Sequence, residues 1–464
     1  MVKITLISPP DFGSKYREFL GMVVPPLGLA YIAAVLEQHG YKVSIIDAPA
    51  LNMTYKDIAK TVYREKPDII GIQALTPTIY NAFNVAKLVR KVLPETTIVM
   101  GGYHPTFADI ETLKECKEVD VCVRGEGEYT MLDIVKNIEK QSDFSRVLGI
   151  TYRDKSGRIV RNPNRPLIKN LDELPFPARH LLPMDRYMVF GMKVPATTIV
   201  CSRGCPMRCS FCASSAMYGG VVRFRSPENV VREIEHVKEK YKVKMIAFVD
   251  DTFTLFRRWV NRLCDRILER KLDIIWGAAA RVDTLNLQTL IKMKKSGCST
   301  LFFGVESGVE FILKNIGKTF TLRKVMKVFE WCRKLGIRII ASFALGFPGE
   351  TLDTIRRTIE FAKKLKPDFV VFSIATPYPG TAFFKECLDK GILKIKDWSK
   401  YTLLTPIIET TSLKIEEVKK MLIKAYEEFY FRPLWWVKTI AREKSVGLSM
   451  LVQVFSTILR KILV

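Results

Sequence analysis

The chain has 464 residues, of which 48% are hydrophobic and 26% charged, and its 73 Lys and Arg against 48 Asp and Glu give a formal net charge of +25. This length exceeds one ordinary core and predicts two or three domains, and the composition excludes a disordered chain. The charge admits an anionic membrane, an anionic small molecule or a lysine-rich solvated surface; no nucleic-acid module is visible and the basic residues form no dense tract, so no nucleic-acid partner is expected.

In chain order, residues 1–140 alternate strands and helices. The strands are "VKITLIS", "KVSIID", "PDIIGIQAL", "TTIVMGG" and "VDVCVRGEGE". Helical stretches such as "LGLAYIAAVLEQHG" and "TYKDIAKTVYREK" separate them. This alternation predicts a doubly wound, Rossmann-like parallel sheet covered on both faces, with ligands beyond the carboxyl ends of its strands. Those ends carry Asp47, Thr76, Gly101, Gly102, Gly125, Glu126, Gly127 and Glu128. Residues 141–192 read as a hairpin, "YRDKSGRIVRNPNRPL", and a Pro-rich linker. A second series over residues 193–395 has the strands "ATTIVCS", "MIAFVDD", "IIWGAAA", "TLFFGVES", "IRIIASFALG" and "FVVFSIATP". Such units predict a partial (β/α)6 barrel with its chemistry at the strand carboxyl ends. Residues 396–464 are expected to be helical.

Near its end the chain pairs Trp435 and Trp436 with Arg432, Lys438, Arg442 and Lys444. A helix follows with Leu448, Leu451, Val452, Phe455, Leu459 and Ile462 on one face. It is too short and interrupted to span a bilayer and would lie along a membrane surface or dock on the barrel. No run of about 20 apolar residues occurs elsewhere and no signal peptide is visible, so the cytoplasm is expected, with contact at the inner face of the membrane if the tail helix lies on it. In a reducing compartment the ten cysteines point to metal rather than disulfides.

The chemistry is concentrated in "VCSRGCPMRCSFCASS", where Cys205, Cys209 and Cys212 follow the first strand of the second series in a C-x3-C-x2-C pattern. Three thiolates on one tight loop can hold three irons of a cube and leave the fourth iron open to a ligand. A zinc site is the other reading and would want a fourth close ligand. Cys201 is read as a strand residue.

The motif, its place after the first barrel strand and Phe211 before the last cysteine resemble the radical S-adenosylmethionine superfamily. The resemblance implies a 4Fe–4S cluster whose open iron binds S-adenosylmethionine and an electron that releases a 5′-deoxyadenosyl radical. It also implies an external donor of ferredoxin or flavodoxin type. Main-chain groups around Phe211 would face adenine. Asp250 and Asp251 stand where the family holds the methionine ammonium, though an acidic pair replaces the more widespread Gly-Gly-Glu. Arg281 would meet a carboxylate, and Glu306 the ribose hydroxyls. "GFPGET" would let the backbone approach adenine.

The amino-terminal motifs "PPLGLAYIAAVLEQHG", "DIIGIQALT", "MGGYHPT" and "RGEGE" resemble the cobalamin-binding subgroup of these enzymes. There Gly101 and Gly102 would let a bulky ligand approach, and Thr76 would offer a hydroxyl. The sequence departs from the Asp-x-His-x-x-Gly pattern of many cobalamin domains: it reads Asp47-Ala-Pro49-Ala-Leu-Asn52. Cobalamin without a histidine ligand is therefore expected, with His104 as a lining residue. The function implied is radical methyl transfer to an unactivated carbon or phosphorus centre of a small molecule or lipid. The alternatives are radical rearrangement, cyclisation or carbon–carbon bond formation without methyl transfer, and a cobalamin sensor, which would not need the cysteine triad.

Overall fold

Strands rich in Ile and Val build the first sheet. The computed structural model describes residues 2–11, 23–187 and 195–432, and these divide into two units. In the first unit, β1 (Lys3–Ser8), β2 (Lys42–Asp47), β3 (Ile69–Gln73), β4 (Thr97–Gly101) and β5 (Val121–Val123) run parallel in the order β2-β1-β3-β4-β5. Ile70, Ile72, Ile98 and Met100 are fully buried or nearly so, as expected for a sheet covered on both faces. The helices include α1 (Leu27–Gln38), α2 (Tyr55–Glu65), α3 (Ile79–Val92) and α4 (Glu128–Glu139). Thr54 and Asp57 form a capping box that starts α2. The order reverses at β1 and β3, and a ligand crevice in such sheets opens beyond the strand ends at that switch.

The expected hairpin forms as β6 (Ile150–Arg153) and β7 (Ile159–Arg161), which extend the first sheet antiparallel from β5. Buried charges fasten it. Arg124 donates to the Ile150 and Asn162 carbonyls, and Asp109 accepts from Thr151 and pairs with Arg161 at 2.7 Å. Residues 397–399 also belong to this unit. There the Trp398 ring meets His104 edge-on at 5.1 Å, and its Nε1 donates to Glu115 at 3.2 Å.

In the second unit, β8 (Ala196–Ile199) is followed by a two-residue ribbon of β9 (Ser202–Arg203) and β10 (Arg223–Phe224). The next strands are β11 (Met245–Phe248), β12 (Ile275–Ala280), β13 (Cys298–Glu306), β14 (Arg338–Leu345) and β15 (Phe369–Ile374). The six-stranded sheet runs β8-β11-β12-β13-β14-β15, parallel throughout, and its two outermost strands do not pair with each other. This is the expected partial barrel. Between the strands lie α5 (Pro227–Tyr241), α6 (Arg257–Glu269), α7 (Leu287–Lys295), α8 (Leu322–Lys334) and α9 (Leu352–Leu365). Side-chain oxygens of Ser226, Asn286, Thr321 and Thr351 cap four of these helices.

A further helix, α10 (Ile415–Tyr430), lies against β15. The Tyr426 hydroxyl accepts from the Phe372 N–H at 3.1 Å and donates to the Phe372 carbonyl at 2.7 Å. Tyr430 does the same to Val370, at 3.1 and 2.7 Å. Two phenols thus make the bonds a seventh strand would have made. Tyr430→Phe should cost about 1–3 kcal/mol, because buried backbone groups lose a partner; urea unfolding of the variant against the natural protein measures it. The tail helix proposed from the sequence lies outside the described residues. Among the described residues no helix is long and apolar enough to cross a membrane.

Candidate active site

The cysteine loop leaves β8 and is gripped at its base. Cys201 N–H and Ser202 Oγ both donate to Asp250 Oδ1, at 3.1 and 2.6 Å. Gly204 N–H donates to Asp251 Oδ2 at 3.0 Å. Gly204 has φ +93°, and a Cβ there would run into the Val221 carbonyl, so only glycine fits. Farther along, Ser210 N–H donates to the Ile316 carbonyl (3.1 Å) and its own carbonyl accepts from Phe383 N–H (2.9 Å). The loop is thereby tied to the segments that follow β13 and β15.

All ten cysteines are unlinked thiols. Cys205 Sγ lies 3.5 Å from Thr252 Oγ1, and Cys209 Sγ lies 3.8 Å from Arg281 Nη1 and 3.9 Å from the Gly317 carbonyl. Burial raises the Cys209 thiol, while Lys318 and Arg281 oppose that rise; burial also raises Cys212. Among the described residues no three Cys, His, Asp or Glu gather as ligands of one metal ion, as a zinc site would need. A cube makes no such demand, since each thiolate binds a different iron. Three free thiols on one loop with cations beside them fit a 4Fe–4S cluster.

The other residues expected here surround the same loop. Phe211 packs 5.5 Å from Phe347 of "GFPGET". Asp250 and Asp251 part company: Asp251 is exposed, whereas Asp250 is 4% exposed and burial pushes its carboxyl up to about 7. Arg281 is held in a fork by Asp283, at 3.0 and 2.8 Å. Glu306 ends β13 at φ +68° and pairs with Lys318 at 3.1 Å. Lys318 Nζ also donates to the Gly304 carbonyl (3.1 Å) and lies 6.0 Å from the Phe211 ring. The sequence reading missed Lys318 and Asp283. Lys318 carries no motif; Asp283 had one sign, its spacing two residues after an arginine.

In the first unit, Thr76 is buried and its Oγ1 meets His104 Nδ1 at 3.2 Å. Burial holds His104 down to about 4, so the imidazole is neutral. Gly101 closes β4. Gly102 has φ +120°, and a Cβ there would meet the Ala74 carbonyl. Gly125 N–H donates to Thr106 Oγ1 at 3.1 Å; Glu126 accepts from Ile168 N–H at 2.8 Å; Gly127 and the buried Glu128 open α4. Asp47 accepts from the Tyr187 hydroxyl at 2.8 Å and caps the turn at 48–51. This carboxylate is thus engaged by a phenol.

Residues 199–362 match the model of the radical SAM superfamily, and residues 16–135 that of the B12 binding domain. Over 440 residues the chain is 40% identical to the uncharacterized methyltransferase PH0819 of Pyrococcus horikoshii, covering 95% of each. It is 29% identical to the anaerobic magnesium-protoporphyrin IX monomethyl ester cyclase of Rubrivivax gelatinosus, over 94% of this chain and 79% of that one. In fold it resembles the radical S-adenosylmethionine methyltransferase TsrM from Kitasatospora setae, solved with cobalamin and a 4Fe–4S cluster. The TM-score is 0.71 at 17% identity, over 84% of this chain and 75% of that one.

The chain belongs to the radical SAM superfamily, among the members that carry a B12-binding domain. Its cofactors are a 4Fe–4S cluster, S-adenosylmethionine and cobalamin, and the matches support cobalamin-dependent radical methyl transfer as its activity. Because Asp47 is tied to Tyr187 and Pro49 stands in the histidine's place, purified protein given hydroxocobalamin should bind about one equivalent with a spectrum lacking a histidine nitrogen ligand. A histidine-ligated spectrum would contradict this.

Proposed function

We propose that this enzyme transfers a methyl group to an unactivated carbon or phosphorus centre of a small-molecule or lipid substrate, with Cys205, Cys209 and Cys212 as the ligands of its cluster. The observation that carries the reading is that residues following β11, β12 and β13 all hold one three-cysteine loop, in a chain that also has a B12-binding domain. When bound, the cluster supplies the electron that cleaves S-adenosylmethionine, and cobalamin carries the methyl group.

The protein's own residues bind and orient. Asp251, exposed beside Gly204, offers a carboxylate to the methionine ammonium. Asp250 instead fixes the base of the cysteine loop. Phe211 and Phe347 wall the adenine site, and Glu306, steadied by Lys318, faces the ribose. In the first unit Thr76, Gly101, Gly102, Gly125, Glu126, Gly127 and Glu128 form or brace the cobalamin edge. Electrons come from an acidic donor of ferredoxin or flavodoxin type, and the protein works in the cytoplasm, with a lipid substrate if its tail meets the membrane.

The second reading, radical cyclisation without methyl transfer, is favoured by the cyclase relative. Methyl transfer consumes one S-adenosylmethionine for the methyl and another for the radical. The reconstituted, reduced enzyme should therefore form S-adenosylhomocysteine and 5′-deoxyadenosine together and pass label from methyl-labelled S-adenosylmethionine into a product in a deletion-strain extract. 5′-Deoxyadenosine alone, with an unlabelled product, would favour cyclisation.

A further inference from the structure

Arg281 stands at the end of β12 with its partners fixed. Its backbone N–H donates to Thr254 Oγ1 at 3.2 Å. Nε and Nη2 fork onto the two oxygens of Asp283 at 3.0 and 2.8 Å, and Thr319 Oγ1 donates to the same carboxylate at 3.4 Å. The Phe320 ring lies 5.6 Å from the guanidinium carbon, and the residue is 7% exposed. A guanidinium is planar, so two bonds to one carboxylate set the direction of the remaining N–H groups. Nη1 is thereby aimed at Cys209 Sγ, 3.8 Å away. Lys318, the neighbouring buried cation, is turned to Glu306 and the Gly304 carbonyl.

We propose that Arg281 is a positioning residue that donates a hydrogen bond to the Cys209 thiolate and thereby raises the reduction potential of the 4Fe–4S cluster, with Asp283 holding it in that orientation. The inference rests on Cys209 being a cluster ligand, and it departs from the family resemblance, which would put Arg281 on a carboxylate of the cosubstrate. Reduction adds one negative charge at the cluster. A cation and N–H donor on a ligand sulfur stabilise that charge, and hydrogen bonds to cluster sulfurs are among the factors that set the potential. Burial strengthens the effect by lowering the local dielectric.

The test is an EPR-monitored redox titration of the reconstituted full chain without S-adenosylmethionine, with iron and sulfide assayed in each sample. Arg281→Gln should keep its iron and move the midpoint down. At the natural protein's midpoint its ratio of reduced to oxidised cluster should fall about tenfold, which is about 59 mV for a one-electron couple. Asp283→Asn should shift the same way by less. An unchanged midpoint in iron-replete Arg281→Gln, with weaker binding of S-adenosylmethionine, would overturn the proposal and return Arg281 to the cosubstrate. Should Arg281→Gln lose iron, Arg281→Lys, which keeps the charge without the fork, supplies the midpoint; iron loss in both would make the residue one of cluster assembly and equally overturn the proposal. Natural protein that takes up no iron would refute the cluster reading itself.

Discussion

Alanine at Cys205, Cys209 or Cys212 should abolish 5′-deoxyadenosine formation, a fall beyond about 10³-fold or about 4 kcal/mol of barrier, and should remove the visible absorbance and iron of the reconstituted protein. Alanine at Cys201 should leave all three signals in place. The difference follows from geometry. Cys201 is fully buried between β8 and β9, not in a strand as the sequence suggested, with its N–H on Asp250 at 3.1 Å and its carbonyl accepting from Arg225 N–H at 2.8 Å. Burial first, and then the neighbouring Asp250 charge, push its thiol far up; burial raises Cys209 and Cys212 too, but at Cys209 the cations Lys318 and Arg281 oppose the rise. The three other sulfurs lie on the loop, with Arg281 and Thr252 beside two of them. Iron retained in Cys212→Ala and lost in Cys201→Ala would reverse the ligand assignment.

Gly204→Ala should have the next largest effect. The residue has φ +93°, and a methyl group there meets the Val221 carbonyl, which is backbone and cannot swing aside. Strain and clash together should cost roughly 3 kcal/mol. The loss should fall on the cysteine loop, because the Gly204 N–H is the group that anchors it to Asp251. The expected result is a protein with near-natural far-ultraviolet circular dichroism, a lower thermal midpoint and at most a small share of the iron. Full iron content at an unchanged midpoint would show that the loop can relax around the extra carbon. Gly157→Ala serves as the control: it too sits at positive φ (+84°), but nothing lies within 4 Å of its added Cβ, so it should destabilise without touching the iron.

The sheets were legible because their strands are apolar runs between capped helices, and that pattern is local. The cysteine loop was legible for the same reason, since its three sulfurs lie within eight residues of sequence. Contacts between distant segments were not. Nothing in "TYRDKSG" says that β6 pairs with β5, because that pairing rests on Arg124 and Asp109 reaching across. The adjacent Asp250 and Asp251 looked alike, yet in the turn that follows β11 one is buried and the other exposed. Lys318 left no trace in the sequence, because its partners Glu306 and Gly304 lie on the preceding strand.

The two phenols of α10 bear on how this protein can be handled. An uncovered outer strand is a template on which another chain can add its own strand, and aggregates grow from such edges. Here the template is occupied at Val370 and Phe372 by side chains from residues 426 and 430, more than fifty positions downstream. A shortened protein that ends before Ile415 would bare that strand and should self-associate, whatever its chemistry. One that ends at Arg432 keeps both phenols and, through Lys363, the 2.7 Å tie from α9 to Glu428. During synthesis the same strand stays open until α10 has emerged, so the barrel is most exposed to wrong partners just before α10 arrives.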